Sequence, residues 1–161
     1  MPLITIAGTP ISFPDEASSP SWAESVILFA ETVATALNSV VGPYDVVSQQ
    51  MVIDAYNTPS AGAIIPNLAF SPSTVQAAYI KYSVFRNTNT TTVSETGQIV
   101  VVYNASNPSS NKWAIARDRV GDALVSFSIS DAGQVAFLID SALTGTSYNG
   151  KITFQASALS K

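Results

Sequence analysis

The side chains of this sequence that could carry out chemistry are its carboxylates, because the commoner catalytic groups are missing. The 161 residues include no histidine and no cysteine, whereas aspartate and glutamate together number 11. The lack of histidine removes the commonest general base and metal ligand, and the lack of cysteine removes thiolate nucleophiles, zinc thiolates and disulfides. The remaining possibility is chemistry with two carboxylates, as in glycoside hydrolysis.

Four carboxylates are candidates for such a pair: Glu95, Asp118, Asp122 and Asp140. Nothing in their spacing singles out two of them. Asp118, Asp122 and Asp131 also lack the dense DxDxDG arrangement of a Ca²⁺-binding loop. We therefore predict no catalytic residue, no metal site and no cofactor, and we expect that the protein is not an enzyme.

The segment GTSYNGK, residues 145–151, has part of the glycine spacing of a phosphate-binding loop. Such a loop must lead into a helix N-terminus, whereas this segment leads into the alternating pattern of a strand. We interpret it as a hairpin turn.

Aromatic side chains are the other candidates for function, because exposed rings bind sugars by stacking. Tyr148 lies in the turn-like segment TGTSYNG, and Trp113 begins a short strand pattern. These two residues are the candidates for ligand binding, although most aromatic residues in strands belong to the core.

The stretch RDRVGDALVSFSISDAGQVAF, residues 117–137, mixes charged residues with turn residues. Ser130–Gly133 separates two alternating apolar patterns, which predicts a hairpin turn with Gly133 at positive φ. Gly121 and Asp122 are expected to play a similar part at the start of the first of these strands. We interpret the charged residues of this stretch as turn and surface groups, not as the edge of an active site.

One helix is predicted between Ser21, which with Glu24 forms a capping box, and the helix-ending Gly42–Pro43. Apolar residues recur within it at alternating spacings of four and three, the pattern of a coiled-coil seam. The helix either packs on its own sheet or also packs against copies of itself. The candidate oligomer interface consists of Trp22, Val26, Phe29, Val33 and Val40.

From residue 44 the apolar period changes to two, with Gly, Asn, Asp, Ser and Pro between short segments. This pattern predicts a mainly β fold, a jelly-roll-like antiparallel β-sandwich with one N-terminal α-helix and an extended N-terminal arm. Residues 1–43 would be an attachment and oligomerisation domain, and residues 44–161 the sandwich. The arm, residues 1–20, is either an edge strand of its own domain or a hook into a neighbouring subunit.

The surface composition favours a protein that hides surface in an assembly. Charged residues make up 11% of the chain and hydrophobic residues 47%, against a typical charged fraction of about 25%. The net charge of −4 opposes binding to nucleic acid. No apolar run is long enough to insert into a membrane, and no secretory signal is recognisable.

Several segments resemble C-terminal β-domains of tailed-bacteriophage virion proteins: YIKYSVFRNT, ETGQIVVVYN, KWAIARD, GDALVSFSISDAGQVAF and LTGTSYNGKITFQASAL. The segment FPDEASSPSWAESVILFAETVATAL is similar to the start of short phage structural proteins. The resemblance implies a non-enzymatic virion component, made in the host cytoplasm, that forms a homotrimer and attaches to other virion proteins. It would be a tail fibre, tail or baseplate part or a capsid-decoration protein. The alternative is a receptor- or carbohydrate-binding module at a fibre tip, with a host-surface glycan as its partner.

Overall fold

The computed structural model of the chain describes residues 3–6, 9–12, 26–34, 42, 44–109 and 111–161. The chain divides into two compact units, Met1–Pro43 and Tyr44–Lys161. The predicted role of the first unit in attachment and oligomerisation stays a prediction.

The described part of the first unit contains a hairpin. Strands β1 (Leu3–Ile6) and β2 (Thr9–Ser12) pair in antiparallel register, with Thr5 opposite Pro10. Proline is tolerated in such a short pair because an edge position does not need its missing N–H. Residues 3–6 and 9–12 of the predicted arm are thus paired strands.

The first unit also contains helix α1, which occupies residues 26–34. Within it Val26 is exposed, whereas Phe29 and Val33 are half-buried. Trp22 and Val40 lie outside the described residues, so the oligomer interface on this helix stays a prediction. Among the described residues no helix is long and apolar enough to cross a membrane.

The described part of the second unit contains eight strands. They are β3 (Val46–Val52), β4 (Gly62–Ala69), β5 (Val75–Asn87), β6 (Thr92–Tyr103), β7 (Trp113–Gly121), β8 (Val125–Ile129), β9 (Gln134–Ile139) and β10 (Asn149–Ser160). A five-stranded sheet has the order β3-β10-β5-β6-β7, and a three-stranded sheet has the order β4-β9-β8. All neighbouring strands are antiparallel. The predicted mainly β antiparallel sandwich with one helix is confirmed, and its jelly-roll connectivity stays a prediction.

The core lies between the two sheets and follows the period of two along the strands. Ile80 and Val84 of β5 and Ile99 of β6 are buried against Phe137 and Ile139 of β9, in one cluster. Full burial of a side chain of this size stabilises the fold by about 1.5–3 kcal/mol. The alternation leaves the intervening residues of β5 and β6 on the outer face of the larger sheet.

The turn between β8 and β9 has the predicted geometry. Gly133 has a φ of +83°, and its N–H donates to the carbonyl of Ser130 at 2.8 Å. Gly121 also has a positive φ, so the prediction for both glycines is confirmed. Asp131 accepts a hydrogen bond at 3.1 Å from the backbone N–H of Lys112. The turn is thereby tied to the loop between β6 and β7.

Candidate functional site

The outer face of the five-stranded sheet carries four polar side chains in line, which we call the polar row. Gln155, Lys81, Gln98 and Asp118 come from β10, β5, β6 and β7. The register places Lys81 directly opposite both Gln155 and Gln98, and Gln98 opposite Asp118. Because adjacent strands are about 4.8 Å apart, the row spans roughly 14 Å of surface.

The side chains of the polar row form no hydrogen bond or ion pair with the rest of the described chain. This sets Asp118 apart from every other carboxylate in the described ranges. The others accept hydrogen bonds or form other electrostatic contacts: Glu31, Asp45, Asp54, Glu95, Asp122, Asp131 and Asp140. The polar row therefore presents hydrogen-bonding groups that the fold itself does not use.

Two shallow depressions flank Lys81. The larger has a volume of about 390 Å³ and includes Gln98 and Asp118 in its lining. The smaller has a volume of about 160 Å³ and includes Gln155. Hydroxyl side chains also line these depressions: Ser83, Thr96 and Thr153.

An apolar strip borders the polar row on its other side. Tyr79 lies two residues before Lys81 on the same face of β5, opposite Val100 of β6, and its side chain is 41% exposed. Val102 and Leu159 extend the strip and are exposed as well. One sheet face thus combines free hydrogen-bonding groups with an apolar surface that includes an aromatic ring.

Glu95 lies on the opposite, inner face of the same sheet, with a fully buried side chain. Its Oε1 accepts a hydrogen bond from the Tyr82 hydroxyl at 2.5 Å and lies 3.4 Å from Nη1 of Arg117. Its Oε2 accepts hydrogen bonds from Nη1 of Arg119 at 2.8 Å and from the N–H of Ala123 at 3.1 Å. This carboxylate holds β5, β6 and β7 together.

The surroundings of Glu95 shift the pKa of two neighbouring groups. Burial, and then the hydrogen bond to Glu95, raise the pKa of the Tyr82 phenol far above its usual value. The hydrogen bond from the N–H of Leu124, and then the charge of Arg119, lower the pKa of Asp122. Near neutral pH Tyr82 is therefore a hydrogen-bond donor and Asp122 is ionised.

The four carboxylates considered from the sequence occupy different environments. Glu95 and Asp122 share Arg119 as a partner, since Nη1 of that arginine contacts both. Asp140 accepts a hydrogen bond from Ser126 at 2.7 Å. Asp118 is in the polar row, on the other face of the sheet from Glu95. Among the described residues no group of three acidic residues is placed to hold a metal ion.

The two aromatic candidates for ligand binding make contacts within the protein. Trp113 is 5% exposed and packs against Tyr103 and Phe70, with ring centroids 5.1 and 6.5 Å apart. Its ring is covered by the core, so the structure corrects the expectation of a solvent-facing stacking surface at this position. Tyr148 is half-buried, and its hydroxyl accepts a hydrogen bond from Nε of Arg86 at 3.1 Å. The ligand-binding role of Tyr148 stays a prediction.

The guanidinium of Arg86 is fully buried at the end of β5. It donates to five neutral acceptors, at distances from 2.7 to 3.2 Å: the carbonyls of Ala123, Leu124 and Ser141, Oδ1 of Asn57 and the hydroxyl of Tyr148. These residues come from three different loops. We call this group the Arg86 junction.

The polar row is not apparent in the sequence, because its members come from four strands and meet only through the register. A signal was present in the phase of each strand. Lys81 stands between the buried Ile80 and Tyr82, and Gln155 stands next to the buried Phe154. The missing information was which strands are neighbours.

No protein-family model matches the chain, and no curated protein matches it either. Three solved structures are similar in part. The tailspike protein of Acinetobacter phage vB_ApiP_P1 is 12% identical, with a TM-score of 0.44, over 70% of this chain and 22% of that one. The tailspike protein gp49 of Acinetobacter baumannii bacteriophage Fri1, a capsular polysaccharide depolymerase, is 14% identical, with a TM-score of 0.36, over 71% of this chain and 18% of that one.

The third is the tailspike protein of Acinetobacter baumannii phage AM24, 7% identical with a TM-score of 0.34 over 71% of this chain and 26% of that one. This chain therefore spans about a quarter or less of the length of each of these proteins. All three are phage tail proteins.

These neighbours correct the expectation that the chain is not an enzyme, because one of them is described as a depolymerase, which is an enzyme. The expectation was based on the absence of histidine and cysteine. Cleavage of a glycan, however, requires only two suitably placed carboxyl groups, and the chain has 11 acidic residues. Composition therefore did not justify the exclusion.

Proposed function

We propose that the chain is a component of a tailed-phage particle, of the tail-fibre or tailspike type, that forms a homotrimer and is attached to other virion proteins. The sequence resemblance described above and the low fraction of charged residues support this function. A protein whose surface is covered by neighbouring subunits needs fewer charges for solubility.

The observation that carries the proposal is an exposed apolar patch on the outer face of the three-stranded sheet, bordered by the carboxylate of Asp140, which accepts a hydrogen bond from Ser126. Ile64 and Leu138 are 58% and 43% exposed there. They line a depression of about 370 Å³ whose other residues are glycine, alanine, serine and phenylalanine. Contact with a second copy would remove these exposed apolar side chains from water. A second copy of this chain is therefore the partner that we propose for this face.

Light scattering of the purified full chain tests this function. We expect the mass of a trimer, and a lower mass for Leu138→Asp, which places a charge in the proposed contact. Val120→Asp is the matched control, because Val120 is 76% exposed on the other sheet; its mass should not change. A monomeric full chain would contradict self-assembly. If the Leu138→Asp variant is still a trimer, the contact between subunits does not lie on the three-stranded sheet.

The same measurement without residues 1–20 examines the N-terminal segment. If the trimer persists, this segment is available to attach the protein to other virion proteins. A trimer that dissociates on deletion makes the segment an intersubunit contact.

A second function, binding of a host-surface glycan, is favoured by the polar row and its apolar border. Retention of the purified chain on cells that carry their surface polysaccharide, compared with cells stripped of it, tests this function. Equal retention on both would argue against it.

A further inference from the structure

We infer that the polar row, together with Tyr79, is a saccharide-binding site whose ligand is an uncharged oligosaccharide lying across β10, β5, β6 and β7. The inference rests on the proposed glycan-binding function and assigns it to one sheet face and one ligand class.

The side chains of the polar row supply the hydrogen bonds that sugar hydroxyls require. The amides of Gln98 and Gln155 each donate and accept, the ammonium of Lys81 donates, and the carboxylate of Asp118 accepts. A hydroxyl group also donates and accepts, so neighbouring hydroxyls of a sugar can pair with neighbouring members of the row. Because none of these side chains is engaged elsewhere in the described chain, no internal hydrogen bond must break on binding.

The charges of the row favour a neutral ligand. Lys81 and Asp118 are separated by Gln98, which places them two strand spacings, about 10 Å, apart, and they form no ion pair. An anion bound at Lys81 would be repelled by the carboxylate of Asp118. A cation bound at Asp118 would meet Lys81. A neutral ligand encounters neither repulsion.

Tyr79 supplies the apolar contact that a sugar ring needs. Its exposed phenol is two residues from Lys81 on the same face, about 7 Å along the strand. It is also a diagonal neighbour of Gln98 and Gln155, within reach of a long side chain. A sugar stacked by its C–H face on this ring can therefore direct its hydroxyls to the row.

The openness of the face sets the expected affinity. The site consists of shallow depressions, and each copy buries only one side of a ligand. We therefore expect a Kd on the order of 1 mM for one copy, equivalent to about 4 kcal/mol. Three copies in a homotrimer that engage one polysaccharide would bind more tightly through their high effective concentration.

Nuclear magnetic resonance of the ¹⁵N-labelled full chain tests the inference. The probes are neutral tetrasaccharides of α-glucan, β-glucan, mannan and N-acetylglucosamine, with tetragalacturonate as the acidic comparison, each to about ten times the expected Kd. We expect at least one neutral probe to shift the backbone amide signals of the row and of Tyr79. If no probe shifts any signal, the saccharide site is overturned while the trimer proposal stands. Shifts confined to another face keep glycan binding but overturn the row, and binding of tetragalacturonate alone overturns the neutral ligand.

Substitution identifies the contributing side chains. We expect the double variant Lys81→Ala with Gln98→Ala to bind the positive probe at least about tenfold more weakly. Lys112→Ala is the matched control, since that lysine lies in the loop between β6 and β7, outside the row. The unfolding midpoint of each variant confirms that it is folded. A folded double variant with unchanged affinity would overturn the inference.

Discussion

Glu95 and Arg86 are both fully buried, yet their charges are satisfied in different ways. Glu95 contacts two arginines, Arg117 and Arg119, and accepts a hydrogen bond from the Tyr82 hydroxyl. Arg86 donates only to neutral oxygen atoms. A buried charge is tolerated when its donors or acceptors all have partners, and removal of one side leaves the other uncompensated.

Replacement of the Glu95 carboxylate tests this balance. We expect Glu95→Gln to lower the free energy of unfolding by about 3–5 kcal/mol, because the two arginines lose their buried counter-charge. Urea denaturation measures the change. Asp118→Asn is the control, since this exposed carboxylate has no partner in the described chain, and it should change stability by less than about 0.5 kcal/mol. Equal losses of stability in the two variants would contradict the role of Glu95 as the counter-charge of the two arginines.

The raised pKa of Tyr82 predicts a loss of stability in alkali. In the folded chain Tyr82 stays protonated at a pH where the unfolded phenol ionises, near pH 10. The unfolded state then binds fewer protons than the folded state, so stability falls as the pH rises above about 10. Unfolding midpoints recorded from about pH 8 to 11 measure the slope. Tyr82→Phe should reduce this dependence of stability on pH. An unchanged slope would mean that another titrating group causes the loss of stability.

At the scale of elements, the Arg86 junction joins three loops at one end of the sandwich. Asn57 belongs to the loop between β3 and β4, Ala123 to the loop between β7 and β8, and Ser141 to the loop between β9 and β10. Backbone carbonyls in loops lack the regular partners that they have in a sheet. At the end of β5, the guanidinium of Arg86 therefore supplies the hydrogen-bond donors that these loop carbonyls would otherwise lack.

We expect Arg86→Met to lower the free energy of unfolding by about 3–5 kcal/mol, because several buried acceptors lose their donors at once. Hydrogen exchange should rise in all three loops, and comparison with the native chain measures it residue by residue. Lys151→Met is the control, since this lysine is exposed on β10 and should have little effect. Faster exchange in only one loop would show that the junction does not connect them.

The elements that the sequence predicts well are those set by local patterns. The β8–β9 hairpin is an example, because a turn flanked by alternating apolar residues specifies its geometry within a few residues. The buried charges were missed, although each continues the inward phase of its strand. Arg86 follows Tyr82 and Val84 at intervals of two, and Glu95 precedes Ile99 by four. Polar residues at inward positions are read as exposed unless their partners, which lie on other strands, are known.

At the scale of the whole molecule, the described core belongs to one of the two units. Every residue of the buried cluster lies between Ile53 and Ala156. We expect a chain of residues 44–161 to fold alone, with one cooperative transition at nearly the melting temperature of the full chain. Calorimetry of both chains measures this. A shortened chain without a transition would contradict the expectation and make residues 1–43 part of the folding unit.

The position of β10 has a consequence for synthesis of the protein. This late strand pairs with both β3 and β5, so the larger sheet stays split until Ser160 has emerged from the ribosome. Protein synthesis proceeds at about 5–20 residues per second, so β10 is made roughly 5–20 s after β3. During this time β3 has no partner strand. The strand VVSQQMV carries no charge to protect it meanwhile. Nascent chains are therefore expected to depend on chaperones or on slow expression for soluble yield.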